Sequence, residues 1–240
     1  MRGFLQLYFD RIYNPIYDRT TATLDRYRRL QAQCLAALEL QSASRLLCVG
    51  LGTGSEAVAA LRLAPQLALS GIDFSAAALE RSRRKLQSLG RTADLRLMDA
   101  AELAYKEGSF DRALCLHVLD FVPDVEAVVH GILRVLTPGG RFVLTLPSQV
   151  EGAALGAGLA RDQVRAALRA GRTSLSIAAE IVSKLFLGLL YLPLIFRGAR
   201  RSFTRDQVQG MFSRLPVSGL AVEEEKTYQD FIVSGRKRRT

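Results

Sequence analysis

Residues 45–57 read RLLCVGLGTGSEA, and this stretch decides the fold. A short apolar run at 45–49 leads directly into three closely spaced glycines, Gly50, Gly52 and Gly54. Glycine allows a sharp turn and a close approach to a ligand, while the free amides of a helix start favour polar groups. The stretch therefore predicts a buried strand, a tight turn and a helix that together border a ligand site.

Outward from this unit, short apolar runs alternate with longer amphipathic stretches, which is typical of βαβ units on a parallel sheet. A helix from Thr204 to about Leu215 follows, and the Thr204 to Gln207 spacing is that of a capping box. Two further apolar runs would close the sheet as an antiparallel hairpin. The predicted fold is α/β, a doubly wound and mostly parallel sheet of seven strands, at 45–49, 68–72, 94–97, 112–116, 141–146, 222–228 and 231–233.

Changes in composition divide the chain into four segments. A helical leader covers 1–40, a ligand-binding core 41–148, an Ala-rich and then strongly apolar helical lid insertion 149–201, and a closing helix, strands and basic tail 202–240. The leader carries Tyr13 and Tyr17 around Pro15, which argues against one regular helix. These tyrosines either staple the leader to the domain or hold a cationic methyl group or amine on their ring faces.

The overall composition excludes a disordered chain and a multi-span membrane protein, since 49% of residues are hydrophobic and 23% are charged. The net charge of +10 favours an anionic partner, namely a phospholipid surface, a nucleic acid or an acidic substrate. Three cysteines, an odd number, favour a reducing compartment, and Asp10 and Arg11 interrupt the first apolar stretch before it reaches signal-peptide length. A cytoplasmic protein is expected.

Polar residues follow three of the predicted strands, where a doubly wound sheet binds its ligands. Asp73 can accept both hydroxyls of a ribose, or it can cap the helix that starts near Ser75. Asp99 can reach an adenine amino group, and His117 would face the reacting end. His117 is either a general base or a residue that only shapes the pocket, and Asp120 is a weaker candidate.

Cofactor identity stays open at this point, because Gly52-x-Gly54-x-x-Ala57 also fits a dinucleotide fingerprint. A nicotinamide enzyme and an adenosylmethionine enzyme both use an acidic residue for the ribose. A metal cofactor is not expected, since the chain has two histidines, His117 and His130, and no paired cysteines.

Five segments in order resemble the class I S-adenosylmethionine-dependent methyltransferases of the small-molecule group, methyltransferase type 11, which includes quinone C-methyltransferases. They read LLCVGLGTGSEA, GIDFSAAALERSRRK, LMDAAELAYKEGSFDRALCLHVL, ILRVLTPGGRFVLTLPS and, further on, SFTRDQVQGMF. The resemblance covers about 40–148 and implies a Rossmann-like fold, S-adenosyl-L-methionine as cofactor, and a leader folded over it. The implied cofactor-binding residues are Gly50, Gly52, Gly54, Asp73, Phe74, Asp99, Ala100 and Leu116. The chain departs from the family at Cys48, where an acidic residue is frequent.

Two regions with basic residues indicate which kind of anionic partner the chain binds. The apolar run at 185–196, LFLGLLYLPLIF, is 12 residues long and too short to span a bilayer. Its basic flanks favour in-plane contact with an anionic membrane, with a soluble lid over the acceptor site as the alternative. The basic tail Arg236 to Arg239 is either solvated or attracts phosphate. A nucleic acid is disfavoured, because nucleic-acid amino-methyltransferases usually carry an Asn/Asp-Pro-Pro-aromatic motif where this chain has His117-Val118-Leu119-Asp120.

The sequence thus predicts a methyltransferase for a small, hydrophobic or lipid-like acceptor, either a prenylated quinol or a phospholipid headgroup. Two other functions fit less of the pattern. They are a non-catalytic adenosylmethionine-binding module that partners an enzyme or membrane, and a nicotinamide oxidoreductase. The accepting atom and the oligomeric state are not determined by the sequence.

Overall fold

The structure, a computed structural model, describes residues 10, 25–42, 45–148, 171, 202–225 and 230–239. Tyr13, Tyr17 and the apolar run at 185–196 lie outside these residues. The described helices are α1 (Asp25–Ala37), α2 (Ser55–Leu63), α3 (Ala76–Ser88), α4 (Val125–Val135) and α5 (Arg205–Ser213). The described strands are β1 (Arg45–Val49), β2 (Ala68–Asp73), β3 (Asp94–Leu97), β4 (Phe110–Cys115), β5 (Leu136–Pro147), β6 (Val217–Glu225) and β7 (Asp230–Lys237).

The seven strands form one sheet in the order β3-β2-β1-β4-β5-β7-β6. The pairs among β1 to β5 are parallel, and β7 runs antiparallel to both β5 and β6. The predicted α/β class, the parallel core and the antiparallel closing hairpin are confirmed. A dinucleotide-binding sheet is parallel in the order 3-2-1-4-5-6, so the insertion of antiparallel β7 between β5 and β6 separates this fold from it.

Several predicted strand ends were wrong. The strand predicted at 222–228 is β6, which begins at Val217, and the strand predicted at 231–233 is β7, which runs to Lys237. As a result, Arg236 and Lys237 of the predicted tail lie in the sheet. β6 is an edge strand whose side chains are mostly exposed, so backbone pairing with β7, and not an apolar pattern, sets its limits.

Two hydrophobic cores cover the two faces of the sheet, as the uniformly apolar strands predicted. Alternate residues of β1 divide between them, with Leu47 and Val49 in one core and Leu46 and Cys48 in the other. The first core contains α4 and α5, including a stacked pair of rings, Phe142 and Phe212, 5.7 Å apart. The second contains α1 and α2. This packing holds the carboxyl ends of the parallel strands at one edge of the sheet.

All three cysteines are free and buried, as expected for thiols that serve as small hydrophobic groups. Burial raises the pKa of Cys34, Cys48 and Cys115 far above the ordinary value of a thiol. The thiols therefore stay protonated and unreactive.

Arginines of the sheet hold the end of the leader helix α1. Arg112 Nη2 donates to the Glu39 carbonyl at 3.1 Å, and the Arg112 and Arg141 Nε atoms donate to the carbonyls of Leu38 and Ala37. The last carbonyls of a helix lack partners within the helix, so these contacts satisfy them and fasten α1 to the sheet.

Candidate functional site

The turn after β1 contains three glycines, and each has a backbone conformation or a close neighbour that a side chain would disturb or a face open to a ligand. All three have positive φ, at 67° for Gly50, 56° for Gly52 and 83° for Gly54. A Cβ on Gly50 would lie 2.1 Å from Val118 Cγ2, and one on Gly54 would lie 2.3 Å from Ser82 Oγ. A Cβ on Gly52 would meet no heavy atom within 4 Å. Two glycines thus permit packing, whereas Gly52 borders open space where a ligand can approach the backbone.

Asp73 joins this turn to the loop after β2. Its Oδ2 accepts the Gly52 amide at 2.8 Å, and its Oδ1 accepts the Ser75 amide at 2.8 Å. Burial raises the pKa of Asp73 to about 6, against the lowering effect of the two amides. The helix-cap interpretation of Asp73 was wrong, because the cap of α3 is Ser75, whose Oγ accepts the Ala78 amide at 3.0 Å. Each Asp73 oxygen carries a second lone pair, so the carboxylate keeps acceptor capacity for a ribose.

The end of β3 lies beside Asp73. The Met98 amide donates to the Asp73 carbonyl at 3.0 Å, and Asp99 Oδ1 accepts the Ala101 amide at 3.0 Å. Ala100 is half-buried, and the Phe74 ring is 40% exposed next to Asp73. The predicted ribose and adenine residues are therefore neighbours at one edge of the sheet.

His117 follows β4 at the same edge, next to Leu116, which is buried. Its φ is 53°, an uncommon conformation for a residue with a Cβ, and its amide donates to Thr145 Oγ1 of β5 at 2.9 Å. His117 Nε2 lies 2.8 Å from Asp230 Oδ2, at the start of β7. A strained backbone held by a second strand and a ring held by a buried carboxylate place this imidazole in a defined orientation.

The ionisation of His117 reflects opposing effects. Burial lowers its pKa, but the hydrogen bond and the charge of Asp230, followed by the charges of Asp120 and Glu56, bring the pKa above its ordinary value. A carboxylate partner of this kind fixes the orientation of an imidazole and increases its basicity. The geometry is that of a general base with an orienting group.

Sequence reasoning missed four residues around this site, three on the helices and one on β7. Tyr27, from α1, lies with its ring centroid 5.8 Å from that of His117, and its hydroxyl donates to Glu56 at the start of α2. Gln31 Nε2 donates to the same Glu56 oxygen at 3.3 Å. Glu56 was detectable as an acidic residue in the first turn after the glycines, whereas no sequence signal pointed to Tyr27 or Asp230. Asp120, the weaker candidate for the base, lies in a turn after β4 and is buried.

The carboxyl edge of the sheet is acidic, although the chain as a whole is basic. Its carboxylates come from the leader, the glycine turn and four strand ends, and they are Asp10, Glu56, Asp73, Asp99, Asp120 and Asp230. Asp10 contacts Ser75 Oγ beside Asp73, and one cation, Lys85, donates to Thr53 Oγ1 at 3.2 Å. This balance suits a cationic sulfonium and opposes a dinucleotide pyrophosphate.

The described part of the chain offers neither a metal site nor a membrane-spanning helix. It contains no group of three or more His, Cys, Asp or Glu side chains placed to hold a metal ion, and His130 is exposed on α4. Among the described helices, none has the length and apolar character needed to cross a bilayer.

The chain is similar in sequence to known methyltransferases. Residues 47–144 match the family model of the methyltransferase domain. The chain is 36% identical over 102 residues to a phosphatidylethanolamine N-methyltransferase of Cereibacter sphaeroides, which covers 42% of this chain and 49% of that protein. It is 33% identical over 142 residues to a demethylmenaquinone methyltransferase of Lactiplantibacillus plantarum, which covers 57% of this chain and 60% of that protein. The chain therefore spans about half to three fifths of the length of these relatives.

Among solved structures, the magnesium protoporphyrin IX methyltransferase of Synechocystis, determined with bound S-adenosylhomocysteine, superposes with a TM-score of 0.65. The match covers 98% of this chain and 99% of that one at 13% sequence identity, so it bears on the fold alone. The glycine turn with its open face, the acidic strand ends and the matching domain agree with one another. Residues 47–144 therefore carry a methyltransferase domain of the class I fold, and the cofactor of such a domain is S-adenosylmethionine.

Proposed function

We propose that this protein transfers a methyl group from S-adenosylmethionine to a small, hydrophobic or lipid-like acceptor, either a prenylated quinol or a phospholipid headgroup. The observation that carries the proposal is the His117–Asp230 pair, 2.8 Å apart at the strand ends beside the cofactor turn. Two relatives are named for phosphatidylethanolamine and demethylmenaquinone, which supports an acceptor of this class.

The geometry of the turn and the strand ends supports the following cofactor-binding roles. Gly52 leaves room for the cofactor against the backbone, while Gly50 and Gly54 let the turn pack closely. Asp73 accepts hydrogen bonds from the ribose hydroxyls, and Asp99 accepts one from the adenine amino group. The hydrophobic and small residues that border the base and the methyl-donor end are Phe74, Ala100 and Leu116.

When bound, the cofactor supplies an activated methyl group on a sulfonium. The chain has to align the acceptor atom with that methyl group and exclude water, and such positioning contributes roughly 7 to 11 kcal/mol. For a phenolic acceptor, His117 takes the hydroxyl proton as the oxygen or ring carbon becomes nucleophilic. Because Asp230 engages Nε2, the proton goes to Nδ1, and the carboxylate then stabilises the resulting imidazolium.

For an amine acceptor, the acidic edge has a second use. Glu56 and Asp230 attract a cationic headgroup to the ring of His117, and the face of a tyrosine adds cation–π attraction. Tyr13 and Tyr17 of the leader remain our sequence-based candidates for that contact. We also propose that the apolar run at 185–196 contacts an anionic membrane and covers the acceptor site.

Turnover with methyl-labelled S-adenosylmethionine and a bacterial lipid extract tests the proposal. We expect a labelled lipid whose mass exceeds that of its precursor by one methylene, formed about a hundredfold or more slowly by His117→Gln if the acceptor is phenolic. The matched control is His130→Gln, since His130 is exposed on α4. Tight cofactor binding without any labelled product from lipid or small-molecule fractions would refute the activity and favour a non-catalytic cofactor-binding module.

A further inference from the structure

An open cleft of about 650 Å³ lies at the edge of the sheet opposite the cofactor site. It is formed where β5 begins and β7 ends, because Arg141 pairs with Arg236 and Val217 pairs with Lys237. Four of its six lining residues are cations, and the set is Gly139, Ser218, Arg236, Lys237, Arg238 and Arg239. Methyl transfer at the acidic edge makes no use of this cleft.

The cations are held in place by the sheet. Arg236 pairs with Glu39 and donates from Nη1 to the Gly139 carbonyl at 3.2 Å. Lys237 Nζ lies 3.3 Å from Glu107 Oε1 and donates to the Leu136 carbonyl at 3.0 Å. A ligand that binds here therefore meets side chains that are already ordered, which reduces the entropy lost on binding.

Arg238 and Arg239 follow the strand and complete the cleft. Arg238 Nε donates to the Val217 carbonyl at 3.0 Å. Arg239 lies over the turn at Gly139, where an added Cβ would be only 3.1 Å from its Nε. The absence of a side chain on Gly139 thus leaves space for this guanidinium, and both arginines line the same cleft.

Among the described residues around the cleft, cations exceed carboxylates. Glu39 is shared between Arg236 and Arg141, and Glu107 is 75% exposed, so its pairing with Lys237 is weak. Burial, and then the charge of Arg236, lowers the pKa of the adjacent Arg112 below its ordinary value. Like charges are therefore crowded here, and an anion would relieve their repulsion.

We propose that this cleft binds a small ligand bearing a pyrophosphate group. The planar fork of arginine matches phosphate oxygens with two parallel hydrogen bonds, and a cleft lined by three arginines and a lysine suits the several negative charges of two linked phosphates. The site is an open cleft with room for a small ligand of this kind. A membrane bound at this edge would also hold the proposed acceptor site at the far side of the sheet.

Titration calorimetry with inorganic pyrophosphate, in metal-free buffer with S-adenosylmethionine present, tests this site. We expect saturable binding to one site that weakens as salt is raised, and at least tenfold weaker binding in Arg239→Gln. Arg239→Lys, which keeps the charge and loses the fork, should weaken binding less than Arg239→Gln does. Arg83→Gln removes one charge from an exposed arginine of α3, paired with Glu80, and should leave binding unchanged.

Thermal unfolding and cofactor affinity establish that the variants are intact, since Arg239 lies at the opposite edge from the glycine turn. The proposal fails if wild-type protein shows no saturable pyrophosphate binding, or if Arg83→Gln weakens binding as much as Arg239→Gln. It also fails if Arg239 is needed for pelleting with phosphatidylserine vesicles while pyrophosphate does not bind. That last result would assign the cleft to a lipid surface.

Discussion

The pKa of Asp73 leads to a prediction about cofactor affinity and pH. If the ionised carboxylate accepts the ribose hydroxyls, affinity should be complete above the pKa of about 6 and should decline below it, where Asp73 is protonated before the cofactor binds. With that pKa, about nine tenths of Asp73 is ionised at pH 7 and about one tenth at pH 5. Affinity should therefore fall about tenfold between these values, which corresponds to roughly 1.4 kcal/mol.

Calorimetric titration with S-adenosylhomocysteine from pH 5 to pH 7 measures this change. Asp73→Ala should bind more weakly than wild type at pH 7 by roughly 1 to 3 kcal/mol, because it strands the Gly52 and Ser75 amides and removes the ribose acceptor. Its affinity should also lose the tenfold dependence on pH. Asparagine is a poorer substitute, since both Asp73 oxygens accept amides and an asparagine would turn its NH₂ group toward one of them.

The matched control is Asp94→Ala, which removes an exposed carboxylate of β3 that pairs with Arg96. His117→Gln should retain the pH dependence, because His117 is assigned to the acceptor. A wild-type affinity that stays constant from pH 7 to pH 5 would refute the reasoning. The same decline in Asp73→Ala would also remove Asp73 from the cofactor site.

Three other predictions concern catalysis, stability and membranes. His117→Gln should lower turnover of a phenolic acceptor on the order of a hundredfold or more with cofactor affinity nearly intact. In Asp230→Asn the decline of kcat at low pH should move to lower pH, because the carboxylate that raises the pKa of His117 is gone. An unchanged rate in His117→Gln and an unchanged pH profile in Asp230→Asn would show that His117 is not the base. Gly54→Ala, which clashes with Ser82 and keeps a positive φ, should lower the free energy of unfolding by about 2 kcal/mol or more in chemical denaturation, whereas Gly52→Ala should mainly weaken cofactor binding. The wild type should pellet with anionic liposomes at low salt. A variant with polar residues at Phe186, Leu190 and Phe196 of the run 185–196 should pellet less. Failure of the wild type to pellet would favour a soluble lid.

Some features of the fold were readable from local patterns alone. The run at 45–49 and the glycines after it predicted β1 to the residue, and the Thr204 to Gln207 spacing predicted the capping box that starts α5. Asp73 and Asp99 were readable as neighbours because the carboxyl ends of parallel strands meet at one edge. In these cases, residues close together in sequence determine the structure.

Other features escaped the sequence because they depend on pairing between distant segments. The limits of β6 and β7 were missed, since an exposed edge strand is defined by its backbone partner and carries little hydrophobic pattern. The cap interpretation of Asp73 was wrong for a similar reason. Its carboxylate is drawn to the Gly52 amide, 21 residues earlier, while Ser75 supplies the cap.

The sequence by itself determined the parallel core, the glycine turn and the order of the proposed cofactor residues along the strand ends, because each rests on local periodicity or on the succession of βα units. Only the tertiary structure decided which groups surround His117. Asp230 is 113 residues away and reaches the imidazole because β7 pairs with β5 in one register, in which Asp230 lies opposite Pro147. Tyr27 approaches the same ring because arginines of the sheet fasten the end of α1. Contacts of this kind depend on strand register and helix packing over the whole domain, and no local pattern records them.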